Sequence, residues 1–121
     1  VTVPGRLTFR DKDPRGWAAF IARLAEHSDI GSALTQRGVQ ASRPGLWDLE
    51  DRIRAIPVPT MIVTGDDDQR CLAPGLFMKE LIERSRLFVL PHTGHVLNLE
   101  EPELFNTVLD EFLSDVDAGK A

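Results

Sequence analysis

The chain has 121 residues, of which 42% are hydrophobic and 27% are charged, and these values fit one small soluble globular domain. The formal net charge of −5 argues against nucleic acid or a membrane surface as a partner, and no apolar run approaches the roughly 18–20 residues that span a bilayer. One cysteine, Cys71, excludes an internal disulfide, so nothing points to an oxidising compartment and we expect a cytoplasmic protein.

The N-terminal part of the chain predicts short helices. Residues Arg6 to Phe9 alternate like a brief strand. Asp13 and Pro14 then predict a helix start, with Asp13 as the N-cap and Pro14 at the first helical position. The apolar side chains that follow at helical spacing predict one buried face: Trp17, Phe20, Ile21 and Leu24.

Two further helices are predicted before residue 57. The first runs from Gly31 to Arg37 and ends at Gly38, where a left-handed C-cap is easy to form. The second buries three apolar residues on one face: Leu49, Ile53 and Ile56. Pro57 and Pro59 then force extended backbone and end it.

The second half of the chain has the pattern strand, loop, helix, strand. Residues Met61–Thr64 and Leu87–Leu90 are apolar without alternation, which predicts parallel strands covered on both faces. A helix from Pro74 to Glu83 separates them, with Phe77, Met78, Leu81 and Ile82 as its buried stripe. Pro102 begins the last helix, and the small polar tail from Ser114 to Ala121 is expected to fray.

Polar residues follow each predicted strand. Asp66, Asp67 and Asp68 come after the first strand, and His92 and His95 after the second. Parallel strands end at the same edge of a sheet, roughly 4.8 Å apart, so these side chains should lie close together. A carboxylate that accepts the Nδ1 proton of a histidine prepares Nε2 to take a proton from a hydroxyl nucleophile.

We regard Asp68 and His95 as the most promising pair. His92 is a rival base, closer to its strand, and Asp66 and Asp67 are rival acids. The alternative is that the acids only form a turn and that the histidine is a solvated loop residue.

Three other kinds of site have weaker support in the sequence: a metal site, a reactive cysteine and an aromatic pocket. Three consecutive side chains, Asp66 to Asp68, do not easily converge on one metal ion, so we predict neither a metal nor a cofactor. Cys71 is interpreted as a small apolar filler, with a nucleophile as the alternative, since free cysteine is usually buried and inert. Trp17 and Trp47 are interpreted as helix-packing residues, with the lining of an apolar pocket as the alternative.

Three stretches together resemble the C-terminal part of an α/β-hydrolase: Val58 to Asp68, Pro91 to His95, and Asn98 to Pro102. The resemblance covers about Arg52 to Leu113, and residues 13–50 are more loosely similar to helices that connect the cap with the core. It implies that Asp68 is the triad acid and that His95, in a G-H turn, is the triad histidine. It also implies a partial α/β-hydrolase fold with two parallel core strands and flanking helices.

The division expected from this resemblance is 1–50 for cap-derived and connecting helices, 51–116 for the βαβα core, and 117–121 for a tail. The family's G-x-S-x-G nucleophile motif is not in this sequence, and neither is the loop that supplies its oxyanion hole. Because the family's order is nucleophile, acid, histidine, those parts would precede Val1. We therefore expect a hydrolase fragment that is inactive alone.

The intact parent is expected to act on a small apolar ester-like substrate, or on a related carbon–halogen or carbon–carbon bond. Two parallel strands are marginal by themselves, so an N-terminal hydrolase half or a second copy of the chain is the expected partner. The alternative from another class is a non-catalytic binding or assembly module that associates with itself.

Overall fold

Two apolar segments pair as parallel strands in the structure, a computed structural model that describes residues 4–121. Strand β1 comprises Thr60–Gly65 and strand β2 comprises Ser85–Leu90, in a register that pairs Thr60 with Ser85 and Gly65 with Leu90. The remaining elements are α1 (Pro4–Lys12), α2 (Pro14–Ala25), α3 (Asp29–Thr35), a π-helical segment (Gln36–Gln40), a 3₁₀ turn (Trp47–Leu49), α4 (Glu50–Arg54), α5 (Gln69–Leu81), α6 (Leu97–Glu100) and α7 (Pro102–Asp117). The predicted βαβ unit and its parallel pair are confirmed.

Helices α5 and α7 lie on opposite faces of the sheet. Gly75 of α5 lets this helix approach the side chains of Ile62 and Leu87 closely. Arg86, the neighbour of Leu87, points the other way because side chains alternate along a strand. Its guanidinium donates to Asp115 of α7 at 2.6 Å. The order helix, sheet, helix is therefore set by alternation on β2.

The predicted coverage of both strand faces is only partly correct. Ile62 and Leu90 are buried, but Met61 and Val63 are half-buried and Val89 is 45% exposed. The strands carry more apolar side-chain surface than the described helices cover. The sheet formed by residues 4–121 has two strands, so the outer edges of β1 and β2 are unpaired within that part of the chain.

The largest apolar cluster joins α4 to the end of α5. Ile53, Leu81 and Ile82 are its buried members. Around them pack partly buried residues from the preceding turns and from α5: Leu46, Leu49, Ile56, Phe77 and Met78. The expected stripe on α5 is thus confirmed, while the third predicted helix is divided into a 3₁₀ turn and a short α-helix that ends before Ile56.

The strand-like pattern of Arg6 to Phe9 was a wrong indication, because these residues lie within α1. The cause is tertiary packing. The buried ring of Phe9 meets Trp17 and Phe20 of α2 edge-on, with ring centroids 5.9 Å and 6.0 Å apart. The predicted start of α2 is confirmed, since the side chain of Asp13 accepts a hydrogen bond from Gly16 N at 2.9 Å.

The prediction of a helix end at Gly38 is also wrong. Helix α3 begins earlier, with Ser28 as its N-cap, and Gly38 lies inside the π-helical segment that continues it. Gly38 does not have a positive φ, so it is not a left-handed cap. The backbone instead continues through i to i+5 hydrogen bonding, as from Ala41 N to Gln36 O at 2.9 Å.

Two boundaries in the second half differ from prediction. Helix α5 begins at Gln69, so Pro74 lies inside it rather than at its start. The earlier start is held by a hydrogen bond from Cys71 N to Asp68 O at 2.8 Å. Helix α7 begins at Pro102 as predicted but continues to Asp117, beyond the predicted start of fraying at Ser114, because Arg86 binds Asp115. No helix within residues 4–121 is both long and apolar enough to cross a membrane.

Candidate active site

The two polar turns are joined by their backbones at the carboxyl edge of the sheet. Asp66 N donates to Leu90 O at 3.0 Å, and Asp67 N donates to Thr93 O at 3.0 Å. Thr93 N returns a hydrogen bond to Oδ1 of Asp66 at 3.2 Å. A Cβ atom on Gly65 would lie 2.0 Å from Thr93 O, so only glycine permits this approach. The turns after β1 and β2 therefore form one rigid unit.

Asp68 and His95 meet within this unit. Oδ2 of Asp68 lies 2.6 Å from Nδ1 of His95. The Asp68 side chain is 10% exposed, whereas the His95 side chain is 50% exposed. The predicted proximity of this acid and this histidine is confirmed. The arrangement holds one ring nitrogen against the carboxylate and leaves Nε2 of His95 for another partner.

The environment of Asp68 favours its charged form. Burial alone would raise the pKa of this carboxyl, but hydrogen bonds from His95 and Cys71, with the positive charges of His95 and Arg70, hold the pKa below its usual 3.8. Asp68 is thus ionised at neutral pH, and its carboxylate accepts a hydrogen bond from the Nδ1–H group of His95. In this arrangement it orients the ring rather than exchanging protons itself.

Cys71 lies beside Asp68 and His95 and forms a cluster with them. Its Sγ atom lies 3.9 Å from Nδ1 of His95, and its side chain is only partly buried. Burial, together with the hydrogen bond to Asp68 and the charge of that carboxylate, raises the pKa of the Cys71 thiol to about 11. The interpretation of Cys71 as a small apolar filler did not predict this contact with the polar pair, while the raised pKa agrees with an inert thiol.

Glu100 holds the histidine turn from within. This carboxylate is buried, and its two oxygens accept hydrogen bonds from Gly94 N at 2.7 Å and Val96 N at 3.2 Å. These are the residues on either side of His95. A charged acceptor that binds both flanking N–H groups fixes the backbone that carries the ring.

Helix α1 closes the other side of the turn. His95 N donates to Gly5 O, and a Cβ atom on Gly94 would lie 2.1 Å from the same oxygen. Thr8 donates its hydroxyl to Oδ2 of Asp67 at 3.0 Å. The N-terminal helix therefore contacts both turns, so residues outside the predicted core segment support the site.

The rival residues have other surroundings. The Asp66 carboxylate accepts a hydrogen bond from Thr93 N, and the Asp67 carboxylate accepts one from the Thr8 hydroxyl. Neither carboxylate therefore faces His95. The ring of His92 is 79% exposed, and its Nδ1 lies 3.5 Å from Oδ2 of Asp67 and not beside Asp68. Its φ of 49° places it in the left-handed region, where the chain turns sharply after β2.

Both tryptophans pack against aromatic rings. Trp17 lies on Phe9 and Phe20, and Trp47 stacks on Phe77 with centroids 4.9 Å apart. A cleft of about 210 Å³ borders the site, lined by Pro4, Gly5, Asp67, Asp68, Gln69 and Arg70. The pocket-lining alternative for the tryptophans is therefore not favoured, since neither ring lines this cleft.

Sequence reasoning missed three contributors to the site. Glu100 entered the sequence analysis only within the stretch Asn98 to Pro102, and Gly5 had no signal at all. Cys71 was interpreted as an inert apolar filler, and the predicted start of α5, five residues too late, gave no reason to place it beside Asp68. A helix starting directly after Asp68 would have put Cys71 in its first turn, one turn away from the acid.

Residues 2–108 match the family model described as "Alpha/beta hydrolase family". Among curated proteins, the chain is 30% identical over 87 residues to a putative 2-succinyl-6-hydroxy-2,4-cyclohexadiene-1-carboxylate synthase of Bacillus subtilis, covering 72% of this chain and 30% of that protein. It is 37% identical over 71 residues to a 2-hydroxy-6-oxo-6-(2'-aminophenyl)hexa-2,4-dienoic acid hydrolase of Metapseudomonas resinovorans, covering 58% and 24%.

Two solved structures also superpose on part of this chain. MenH from S. aureus superposes with a TM-score of 0.54 at 31% identity, over 55% of this chain and 25% of that one. CarC, a serine hydrolase involved in carbazole degradation, superposes with a TM-score of 0.51 at 35% identity, over 54% and 26%. The chain thus spans between a quarter and a third of the length of these relatives.

Proposed function

Because the chain belongs to the α/β-hydrolase family, we propose that it carries the orienting acid and the base of a hydrolase site, Asp68 and His95. The observation that supports this most directly is the 2.6 Å contact between Oδ2 of Asp68 and Nδ1 of His95. An ionised acid at Nδ1 fixes the tautomer and stabilises the imidazolium that forms when Nε2 accepts a proton.

The proposed reaction needs a nucleophile from another segment. The sequence has no G-x-S-x-G motif, so His95 has no serine of that kind to activate within the 121 residues. In the complete site, Nε2 would take the hydroxyl proton as the oxygen attacks the substrate carbonyl, and would then give the proton to the leaving group. We therefore propose that the isolated chain does not catalyse hydrolysis.

We propose small apolar carbonyl compounds such as esters as substrates of the complete protein. The relative named as a hydrolase of 2-hydroxy-6-oxo-6-(2'-aminophenyl)hexa-2,4-dienoic acid supports a carbonyl-containing substrate. For the location in the cell we propose the cytoplasm, because the single cysteine cannot form an internal disulfide.

A chimaeric enzyme tests the roles of Asp68 and His95. Residues 58–113 of this chain would replace the corresponding segment of the Metapseudomonas hydrolase, and hydrolysis of that enzyme's own dienoic acid would be measured. We expect turnover that falls by about 10²–10⁴-fold in His95→Ala, and also falls in Asp68→Asn. His92→Ala is the matched control and should retain the activity. Equal activity of the His95→Ala chimaera would refute the assignment.

The isolated chain provides a second test with a short-chain p-nitrophenyl ester. We expect no saturable turnover above that of His95→Ala. Saturable turnover that is lost in His95→Ala would mean that the chain or its oligomer contains its own nucleophile, and the need for another segment would be disproved.

A self-associating module without catalysis is the second candidate. The outer edges of β1 and β2, which are unpaired within residues 4–121, and the exposed Val89 favour it, since strand edges are templates for pairing with another chain. A stable oligomer, together with an inactive chimaera that is folded, would favour this candidate over the first.

A further inference from the structure

Three side chains of different chemistry converge at the carboxyl edge of the sheet. The carboxylate of Asp68, the thiol of Cys71 and the imidazole of His95 each offer one ligand atom, and these atoms lie within 4.8 Å of one another. Thiolate, imidazole and carboxylate are the three protein ligands that Zn²⁺ uses. This set of ligands is not the Asp66–Asp68 run, whose consecutive side chains do not easily converge on one ion. Only Asp68 belongs to that run, and Cys71 and His95 lie elsewhere in the chain.

The spacing is close to that of a tetrahedral site. Bonds of about 2.0 Å to nitrogen and oxygen and about 2.3 Å to sulfur place the nitrogen roughly 3.3 Å from the oxygen and 3.5 Å from the sulfur. The present separations from Nδ1 of His95 are 2.6 Å to Asp68 and 3.9 Å to Cys71. Side-chain rotations that move these atoms by less than about 1 Å would therefore suffice.

The backbone already places the ligands. Asp68 and Cys71 are linked through the first turn of α5, where Cys71 N donates to Asp68 O. His95 is held by the hydrogen bonds of Glu100 to Gly94 and Val96. A cation would therefore bind to ligands on fixed backbone and would not have to order a loop.

We propose that Asp68, Cys71 and His95 bind a soft divalent cation, with Zn²⁺ as the natural example and water as the fourth ligand. Binding releases the thiol proton of Cys71 to solvent, because the thiolate is the ligand form. The ring of His95 stays neutral and moves its proton from Nδ1 to Nε2, so that Nδ1 can bind the metal. One thiolate and one carboxylate then balance the two charges of the ion.

Metal binding would also silence the base, a consequence that rests on the proposed function. The cation takes the position of the proton between Nδ1 and Asp68, and Nε2 becomes protonated. A ring with both nitrogens occupied cannot accept a proton from a nucleophile. The site would then be a point at which a thiophilic metal inhibits the hydrolase.

Cadmium is the probe, because a cadmium–thiolate bond absorbs in the ultraviolet and Cys71 is the one cysteine in the chain. The purified chain would be titrated with Cd²⁺ while the charge-transfer absorption is followed. We expect a saturable signal with one ion per chain, which added Zn²⁺ reverses. Far-ultraviolet circular dichroism of each variant checks that it is folded.

Four variants separate the proposed site from a lone thiolate. Cys71→Ser should abolish the absorption, and His95→Ala and Asp68→Asn should each weaken binding by roughly tenfold or more, the loss of at least about 1.4 kcal/mol. His92→Ala is the matched control, since its ring lies in the same turn but 3.5 Å from Asp67, outside the cluster, and it should bind normally.

Three results would overturn the proposal. These are no charge-transfer signal with the folded chain, unchanged affinity in both His95→Ala and Asp68→Asn, or one ion shared by two chains. None of these measurements depends on turnover. A failed titration therefore leaves the acid and base roles untouched, and a failed chimaera leaves the metal site untouched.

Discussion

At the scale of single residues, each acid of the Asp66–Asp68 run has a different partner. Asp66 binds the backbone of the histidine turn, Asp67 binds Thr8 of α1, and Asp68 binds His95. Three identical side chains thus perform two structural tasks and one that is suited to chemistry. The choice of Asp68 from the family's spacing agrees with this geometry, and its role in a reaction stays a proposal.

The Cys71 thiol should be unusually slow to alkylate. A pKa of about 11 instead of 9.0 leaves about 100-fold less thiolate at neutral pH than in an ordinary cysteine. Iodoacetamide labelling of the folded chain should therefore be slower than that of the urea-unfolded chain by a similar factor. Asp68→Asn removes the charge that opposes ionisation, so it should accelerate labelling while it weakens Cd²⁺ binding. Slower labelling of that variant would contradict this account.

The lowered pKa of Asp68 makes part of the stability dependent on pH. A carboxyl with a lower pKa in the folded state contributes stability above its unfolded value, near 3.8, and loses it as pH falls through the folded value. The difference in unfolding free energy between the natural chain and Asp68→Asn should be constant near neutral pH and shrink below about pH 4. Urea titrations at several pH values measure it, and a difference that grows in acid would be the contrary result.

Glu100 should matter more for stability than its less buried neighbour Glu101. Glu100→Gln places an amide NH₂ against one of two buried backbone N–H groups, and should cost about 1–3 kcal/mol in urea unfolding. Glu101→Gln is the matched control. Glu101 is half-buried and pairs with Lys12, but Glu101→Gln keeps an amide oxygen that can accept from Lys12, so this substitution should cost less than Glu100→Gln, about 1 kcal/mol. Equal losses of unfolding free energy in the two variants would show that the buried hydrogen bonds of Glu100 are not the cause of its effect on stability.

At the scale of elements, the site depends on how closely the two turns approach. Strands β1 and β2 end in register, and the loops continue the ladder beyond Gly65 and Leu90. The start of α5 directly after Asp68 then puts Cys71 beside the histidine turn. The apolar periodicity of α5 predicted its buried face. Its start was predicted too late, at Pro74, because proline is common at the first helical position. In this helix, however, the proline lies in the interior.

Two glycine substitutions test the approach of the turns. Gly65→Ala would place a Cβ atom 2.0 Å from Thr93 O, a backbone atom, so the turns must separate. We expect a loss of about 1–3 kcal/mol in unfolding free energy. Gly38→Ala is the control, because a Cβ atom there meets nothing within 4 Å and the helical backbone favours alanine. It should be neutral or stabilising, and equal destabilisation of both variants would contradict the argument.

At the scale of the whole molecule, the sheet has more apolar surface than residues 4–121 cover. Its two strands lie between α5 and α7, with both outer edges unpaired within that part of the chain. A two-stranded sheet is marginal in water, so the family's further strands or a second copy would complete it. The chain's span of about a quarter to a third of its relatives' length agrees with the first alternative.

We expect the isolated chain to self-associate. Light scattering after size exclusion should give a mass above the 13.5 kDa of one chain, rising with concentration. Val89→Lys places a charge on the exposed strand and should reduce association, because lysine on an edge strand opposes pairing. Leu76→Lys, a similarly exposed apolar position on α5, is the control. A single-chain mass at every concentration would contradict the expectation.

Local patterns in the sequence predicted the βαβ order, the parallel pair and the start of the last helix, and together with the family's spacing they singled out the acid and the histidine that meet. These follow from local signals: unbroken apolar runs, proline positions, and the rule that parallel strands end at one edge. Tertiary structure alone decided that Arg6–Phe9 is helical, that Glu100 lies under the histidine turn, and that Cys71 joins the pair. Those features depend on how separate elements pack: Phe9 of α1 against Trp17 of α2, Glu100 of α6 under the histidine turn, and Cys71 of α5 beside His95, which the pattern of a single element does not record.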